Sequence, residues 1–268
     1  MSRTAVYNAI VLRNRPSGES NSEVTLLTAE EGLIRATVFG GAKSKLRSHC
    51  SPFNSGKVWL YRSKAKEYAK LCDFDVEFWR AGLRENYDRT MTSCALADTI
   101  MSTHGGGGGW EAVLKMIIET LDTVETADEE LCGRLMVHFL WKWSQFLGIQ
   151  PNVDTCSECG KAVRNVPMFL NVQDCSVLCA RCKPVILDSA FDVPHSTFLS
   201  PNSSFLIPHS KLLQLNPGCR KWLSAVDPLE AAQVSRYSMD NKSFNEAKSL
   251  VTSVLSGAMG KRLASWNW

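Results

Sequence analysis

Long apolar runs are missing from this chain of 268 residues. No stretch approaches the roughly 20 residues that span a bilayer, and the opening Met1-Ser2-Arg3-Thr4 carries no secretory apolar segment, so a soluble cytoplasmic protein is expected. Catalytic signatures are missing as well. The five histidines, His49, His104, His138, His195 and His209, stand isolated, with no His-Glu-x-x-His, no His-x-Glu ahead of Pro-Cys-x-x-Cys and no Gly-x-Ser-x-Gly. That argues against a zinc protease, deaminase or hydrolase, and no enzyme activity is expected. Asp128-Glu129-Glu130 suits the positive start of a helix better than a pair of catalytic carboxylates. The glycine run 105–109 has no strand before it and no Lys-Ser/Thr after it, so it is not a phosphate loop; it reads as a hinge or disordered connection.

Acids are scarce in one window. Between residues 43 and 70, Lys43, Lys45, Arg47, Lys57, Arg62, Lys64, Lys66 and Lys70 face the single acid Glu67. The net charge of +3 conceals this asymmetry: residues 1–82 carry thirteen cations and eight acids, residues 83–152 five and ten, and residues 153–268 twelve and nine. A cationic first segment points to a polyanionic partner, against the plainer reading of solvated surface charge.

Cysteine, by contrast, is abundant, with ten residues. Cys156-Ser-Glu-Cys159 and Cys179-Ala-Arg-Cys182 repeat one spacing, and two such turns brought together form a tetrahedral thiolate site for zinc. Four thiolates leave no open coordination position, so the expected metal is structural. Cys175 with Cys179 is an alternative second pair; the repeated spacing favours Cys179 and Cys182. Cys50, Cys72, Cys94, Cys132 and Cys219 are scattered singly in apolar surroundings, the pattern of reduced core thiols.

Alternating, β-branched and aromatic runs at 6–12, 23–28, 33–39, 57–61 and 68–76 predict five strands, separated by turn clusters such as Arg15-Pro16-Ser17-Gly18. Five short strands in about 75 residues fit a small closed barrel of the OB-fold type. Gly40-Gly41 is expected to release 42–47 as a cationic loop, with 62–66 as a second one. Cations beside strand aromatics form a common surface for single-stranded nucleic acid, and Trp59, Tyr61 and Tyr68 are the candidate rings, with a core role at least equal to stacking.

After Asn86 the period becomes helical, giving helices near 87–101, 110–124 and 131–147, then near 210–215, 218–225, 228–239 and 244–258, with Asp227-Pro228 and Ser243 as starts for the last two. The expected architecture is α+β and multidomain: an OB-fold barrel over 1–80, and an all-α domain in two parts, 81–152 and 186–268, with a four-cysteine zinc finger over 153–185 inserted in it.

A barrel, a helical domain and an inserted finger in this order resemble the bacterial recombination mediator RecO family. Gly18-Glu19-Ser20 with Val24-Thr25-Leu26-Leu27-Thr28-Ala29-Glu30-Glu31-Gly32 is similar to that family's first hairpin. Gly40-Gly41-Ala42-Lys43-Ser44 is similar to its glycine-basic segment, and Cys156-Ser-Glu-Cys159-Gly160-Lys161 to its finger. Cys175 and the pentaglycine depart from the pattern. The resemblance implies a non-catalytic, cytoplasmic, nucleoid-associated DNA repair and recombination protein. It would bind single- and double-stranded DNA, anneal complementary strands, associate with RecR and contact the tail of single-stranded DNA-binding protein to help load recombinase. On this reading Arg35, Lys43, Lys45, Arg47, Arg62, Lys64 and Lys66 are the DNA-binding cations. Lys211, Arg220, Lys221, Arg236, Lys261 and Arg262 are candidates for the tail pocket. Two other classes compete with it: a nucleic-acid-modifying enzyme carrying an OB module and structural zinc, and a protein adaptor that never touches DNA.

Overall fold

Alternation over the first 78 residues becomes five strands in a computed structural model that describes residues 4–40, 44–63, 68–183 and 212–267. They are β1 (Thr4–Ser17), β2 (Asn21–Thr28), β3 (Gly32–Val38), β4 (Ser55–Ser63) and β5 (Tyr68–Phe78), with a short helix α1 (Lys45–His49) between β3 and β4. The sheet closes on itself in the order β1-β2-β3-β5-β4, because β1 pairs antiparallel with both β2 and β4, and one parallel pair, Thr37 with Lys70, joins β3 to β5. The expected OB-type barrel is therefore present.

Period-two alternation places Val24, Leu26, Ile34, Ala36, Val38, Val58, Leu60 and Leu71 inside. Cys50 is buried in the same core and Leu46 packs against it, so the α1 segment closes one end of the barrel. The sequence reading made 42–47 a loop. From Lys45 on it is helix instead, because burying Leu46 and Cys50 gains more than an open loop offers.

The barrel shares a compact unit with α2 (Tyr87–Ser102), α3 (Trp110–Val124) and the first part of α4 (Glu129–Phe146); the unit comprises Met1–Phe139, Glu230–Arg236 and Leu263–Trp268. Asn86 caps α2 by accepting from the Arg89 N–H, and Asp128 accepts from the Leu131 N–H at the start of α4. The glycine run is not the hinge expected of it. Residues His104–Gly107 form a turn with left-handed backbone in which Gly106 N–H donates to the Thr103 carbonyl, and the indole of Trp110 lies against Gly32 and Gly105, both at positive φ. A Cβ on Gly32 would meet Trp110 Cδ2 at 2.8 Å, so the close approach of hairpin and helix requires glycine there.

The second compact unit comprises Leu140–Leu229 and Tyr237–Arg262. Strands β6 (Met168–Asn171), β7 (Ser176–Cys179) and β8 (Leu212–Leu215) form an antiparallel sheet in the order β7-β6-β8. The helix predicted over 210–215 is thus a strand within its described part, since Leu212-Leu213-Gln214-Leu215 is too short to separate the two periods. Helices α5 (Pro217–Val226) and α6 (Asn241–Met259) follow, capped by Asn216 and by Asp240, the latter three residues ahead of the Ser243 start expected for the last helix. The helix predicted over 228–239 shrinks to a 3-10 segment, Ala231–Arg236, in the first unit. Residues 184–211 fall outside the described residues. Among the described residues no helix is long and apolar enough to cross a membrane.

Candidate functional site

The four-cysteine cluster is built from two tight turns. In the first, Cys156 N–H donates to the Lys161 carbonyl, Gly160 N–H to the Cys156 carbonyl, and Gly160 takes φ +67° to turn the chain back. In the second, at the end of β7, the N–H groups of Cys182 and Lys183 both donate to the Cys179 carbonyl. Ser157 stitches the turns together: its N–H donates to the Val177 carbonyl and its Oγ accepts from the Val177 N–H. The result sets the sulfurs of Cys156, Cys159, Cys179 and Cys182 within 4.8 Å of one another. Tetrahedral zinc with about 2.3 Å bonds needs sulfurs about 3.8 Å apart, so four thiols within this radius fit the ion. Cys175, at φ +57° in the β6–β7 turn, is outside the cluster.

The field inside the cluster treats its thiols unequally. Burial opposes ionisation of Cys156, but N–H groups of Cys159, Cys179 and Glu158 outweigh it and bring the thiol down to about 6. The Cys182 N–H lowers Cys179 in the same way. Cys182 is pushed up to about 12, first by its hydrogen bonds with Cys179 and Cys159, and also by the negative charge of Cys156. Bound zinc would supply a positive charge that holds all four as thiolates and crosslinks the two turns. The single thiols behave otherwise. Burial drives Cys50 and Cys219 to about 12 and Cys132 to about 11, as expected of core thiols, whereas Cys72 is exposed on the barrel surface because β5 turns it outward.

One residue frames this cluster from below. Arg220, buried in α5, donates from Nη1 to the carbonyls of Val153 and Val163 and from Nη2 to that of Val166. It cannot belong to an exposed pocket for an acidic tail, where the sequence reading put it. Lys221, Lys261 and Arg262 are exposed in the second unit and Arg236 is exposed in the first; Lys211 lies outside the described residues.

On the barrel, Arg35 points outward from β3, and Lys45 and Arg47 are exposed on α1. Arg62 is committed: its Nη1 pairs with Glu31 at 2.6 Å and its guanidinium lies 5.7 Å from the centre of the Tyr7 ring. An exposed pair of this kind is worth about 0–1 kcal/mol, so exchange of Glu31 for another anion is inexpensive. Lys43, Lys64 and Lys66 lie outside the described residues. Register resolves the rings that sequence left open. Val58 and Leu60 point in, so Trp59 and Tyr61 share the outer face, half-buried, as is Tyr68. Two rings were missed: Phe39, 42% exposed, with the Lys70 ammonium 5.4 Å from its centre, and Trp79, 46% exposed, edge-on to His49 at 5.3 Å. Alternation could have found Phe39, which shares the outer face of β3 with Arg35, whereas Trp79 follows β5 where no period applies. Exposed Asp73, Asp75 and Glu77 make the outer face of β5 acidic, which leaves β3 and α1 as the cationic side.

Residues 1–76 match the family described as recombination protein O N terminal. A DNA repair protein RecO of Pelotomaculum thermopropionicum is 27% identical over 177 residues, 65% of this chain and 67% of that one. Its counterpart in Desulforamulus reducens is 24% identical over the same shares, and that of a Synechococcus strain is 27% identical over 192 residues, 68% and 67%. The barrel domain thus matches recombination protein O, and over about two thirds of its length the chain resembles the RecO family of DNA repair proteins.

Proposed function

We propose that this protein is a non-enzymatic mediator of DNA repair and recombination. It binds single- and double-stranded DNA through the cationic side of its barrel and anneals complementary strands. With RecR and the tail of single-stranded DNA-binding protein, it helps load recombinase in the cytoplasm. The observation that carries this reading is the placement of Lys45 and Arg47. Both are exposed and without an ion pair among the described residues, on a helix that closes a barrel similar to recombination protein O. Together with Arg35, and with Lys43, Lys64 and Lys66 outside the described residues, they would neutralise phosphates on two strands and lower their repulsion so that bases can pair. Counterion release supplies most of the energy. Arg62 joins once it leaves Glu31, and Phe39 and Trp79 offer faces on which bases can stack. Cys156, Cys159, Cys179 and Cys182 would hold zinc in a purely structural role, since a closed tetrathiolate site has no position for a substrate.

Fluorescence anisotropy of a labelled single-stranded oligonucleotide at two salt concentrations, with annealing followed in the same sample, tests the reading. Salt-sensitive binding and accelerated annealing are expected. The K45E/R47E variant should weaken binding and reduce the magnitude of the slope of log affinity against log salt by about 1.4, at about 0.7 per lost phosphate contact. An unchanged slope would remove α1 from the interface, and no binding at low salt would leave a zinc-stabilised adaptor as the better account.

A further inference from the structure

A groove of about 430 Å³ has Cys159, Cys179 and Cys182 of the cluster in its wall and opens outward between Lys161, Arg164 and Arg181. Its volume falls in the range of about 300–1,000 Å³ typical of ligand sites. Its charge is one-sided. Lys161, Arg164 and Arg181 are exposed along it, no Asp or Glu lines it, and none of the three makes an ion pair among the described residues. Arg220 adds a fourth positive charge behind the wall. Its hydrogen bonds go to the carbonyls of Val153, Val163 and Val166 and to the Met168 sulfur, none to a carboxylate, and they fix the shape of that wall. A zinc tetrathiolate centre would carry a charge of −2. The three groove cations exceed that by one, and Asp154 offsets the charge of Arg220, so charge compensation for the metal leaves a positive surplus of one facing the groove.

From this geometry we propose that the groove is a second polyanion site, receiving the phosphodiester backbone of one nucleic-acid strand. It lies in a compact unit other than that of the barrel cations and rests on the DNA-binding reading given above. Two separate sites allow one chain to hold two strands at once, a requirement of annealing that a single cationic surface meets only by sharing. The three cations act as phosphate contacts, with guanidinium groups supplying forked donors and Lys161 a point charge.

The test uses the full chain with three substitutions, K161E/R164E/R181E, its metal content measured by elemental analysis. The neutral K161Q/R164Q/R181Q variant replaces it if charge reversal expels the metal. Anisotropy titration of a labelled oligothymidine across a salt series should show the slope of log affinity against log salt falling by about 2, at about 0.7 per contact for three lost contacts. Annealing should slow, and the K45E/R47E effect should add to the groove effect. Wild-type binding with an unchanged slope in metal-replete groove variants overturns the groove while leaving the barrel reading intact. Reduced metal content without a change in slope also overturns it and assigns the cations to balancing thiolate charge. If the wild-type chain binds no oligonucleotide at low salt, the DNA-binding reading fails first and the groove site with it.

Discussion

Arg80 turns the chain out of the barrel at φ 40° and ψ 52°, a left-handed conformation that a residue with a side chain adopts only when it is held there. Its guanidinium donates to Asp122 at 2.6 Å, to the Phe53 carbonyl and to Ser55 Oγ, so strand, loop and α3 meet on one group. The Arg80 side chain is 1% exposed and that of Asp122 47%. This asymmetry decides which partner matters. Replacing Arg80 with Ala leaves Asp122 free to be solvated and should cost about 2 kcal/mol for the lost hydrogen bonds, whereas D122N leaves the buried guanidinium without its counter-charge and should cost about 3 kcal/mol. Urea denaturation followed by circular dichroism checks both; a D122N loss well below that of R80A would show that the buried guanidinium does not depend on the carboxylate. Nothing in Phe78-Trp79-Arg80-Ala81 announces this role, because the partners are 25 to 42 residues away in sequence. Arg220 is a parallel case, read from sequence as a surface cation and found buried under the finger.

Elements were legible in proportion to their length and period. The five strands and α2, α3, α4 and α6 follow from alternation or from apolar residues repeated every three to four positions. The short pieces were not. Helix α1 has five residues and β8 four, so neither offers a full period, and the glycine run owes its order to Trp110 and Leu33 packing on Gly105. The cysteine cluster was legible from spacing alone, since Cys-x-x-Cys dictates its own turn, and the repeated spacing also favoured Cys179 and Cys182 over Cys175, which is outside the cluster. The proposed metal has a testable consequence at this scale. If zinc fills the cluster, its removal by a thiol-modifying reagent with chelator should lower the thermal transition of the second unit and leave that of the barrel unit in place, as scanning calorimetry can resolve. Acid acts in the same direction. Cys156 is lowered to about 6, so its thiolate is favoured in the fold down to that pH, and its contribution is lost as pH falls through it. Protons compete with zinc for the same thiolates, so zinc retention, followed by a chromogenic chelator, should decline only below the metal-free Cys156 value of about 6.

The molecule as a whole is two compact units whose chain segments alternate. Charge follows that division only loosely; the acid-rich stretch 83–152 begins in the barrel unit, and its last part, from Leu140 on, belongs to the second. The first unit is not finished by its first 139 residues. It also requires Glu230–Arg236 and the segment from Leu263, where Trp266 is fully buried and its indole N–H donates to Thr99 Oγ1 at 3.0 Å. Truncating that ring with W266A should therefore cost about 3 kcal/mol, and the loss should appear in the unfolding of the barrel unit and not in metal retention. A loss confined to the second unit would contradict the assignment of residues 263–267. This interleaving has a consequence for biosynthesis. The ribosomal exit tunnel shields the most recently made stretch of chain, so residues 237–262 and 263–267 become available late and nearly together. Although the barrel is translated early, neither unit can be completed until that stretch has emerged. Until then the α2 face around Thr99 lacks Trp266 and is open to chaperones.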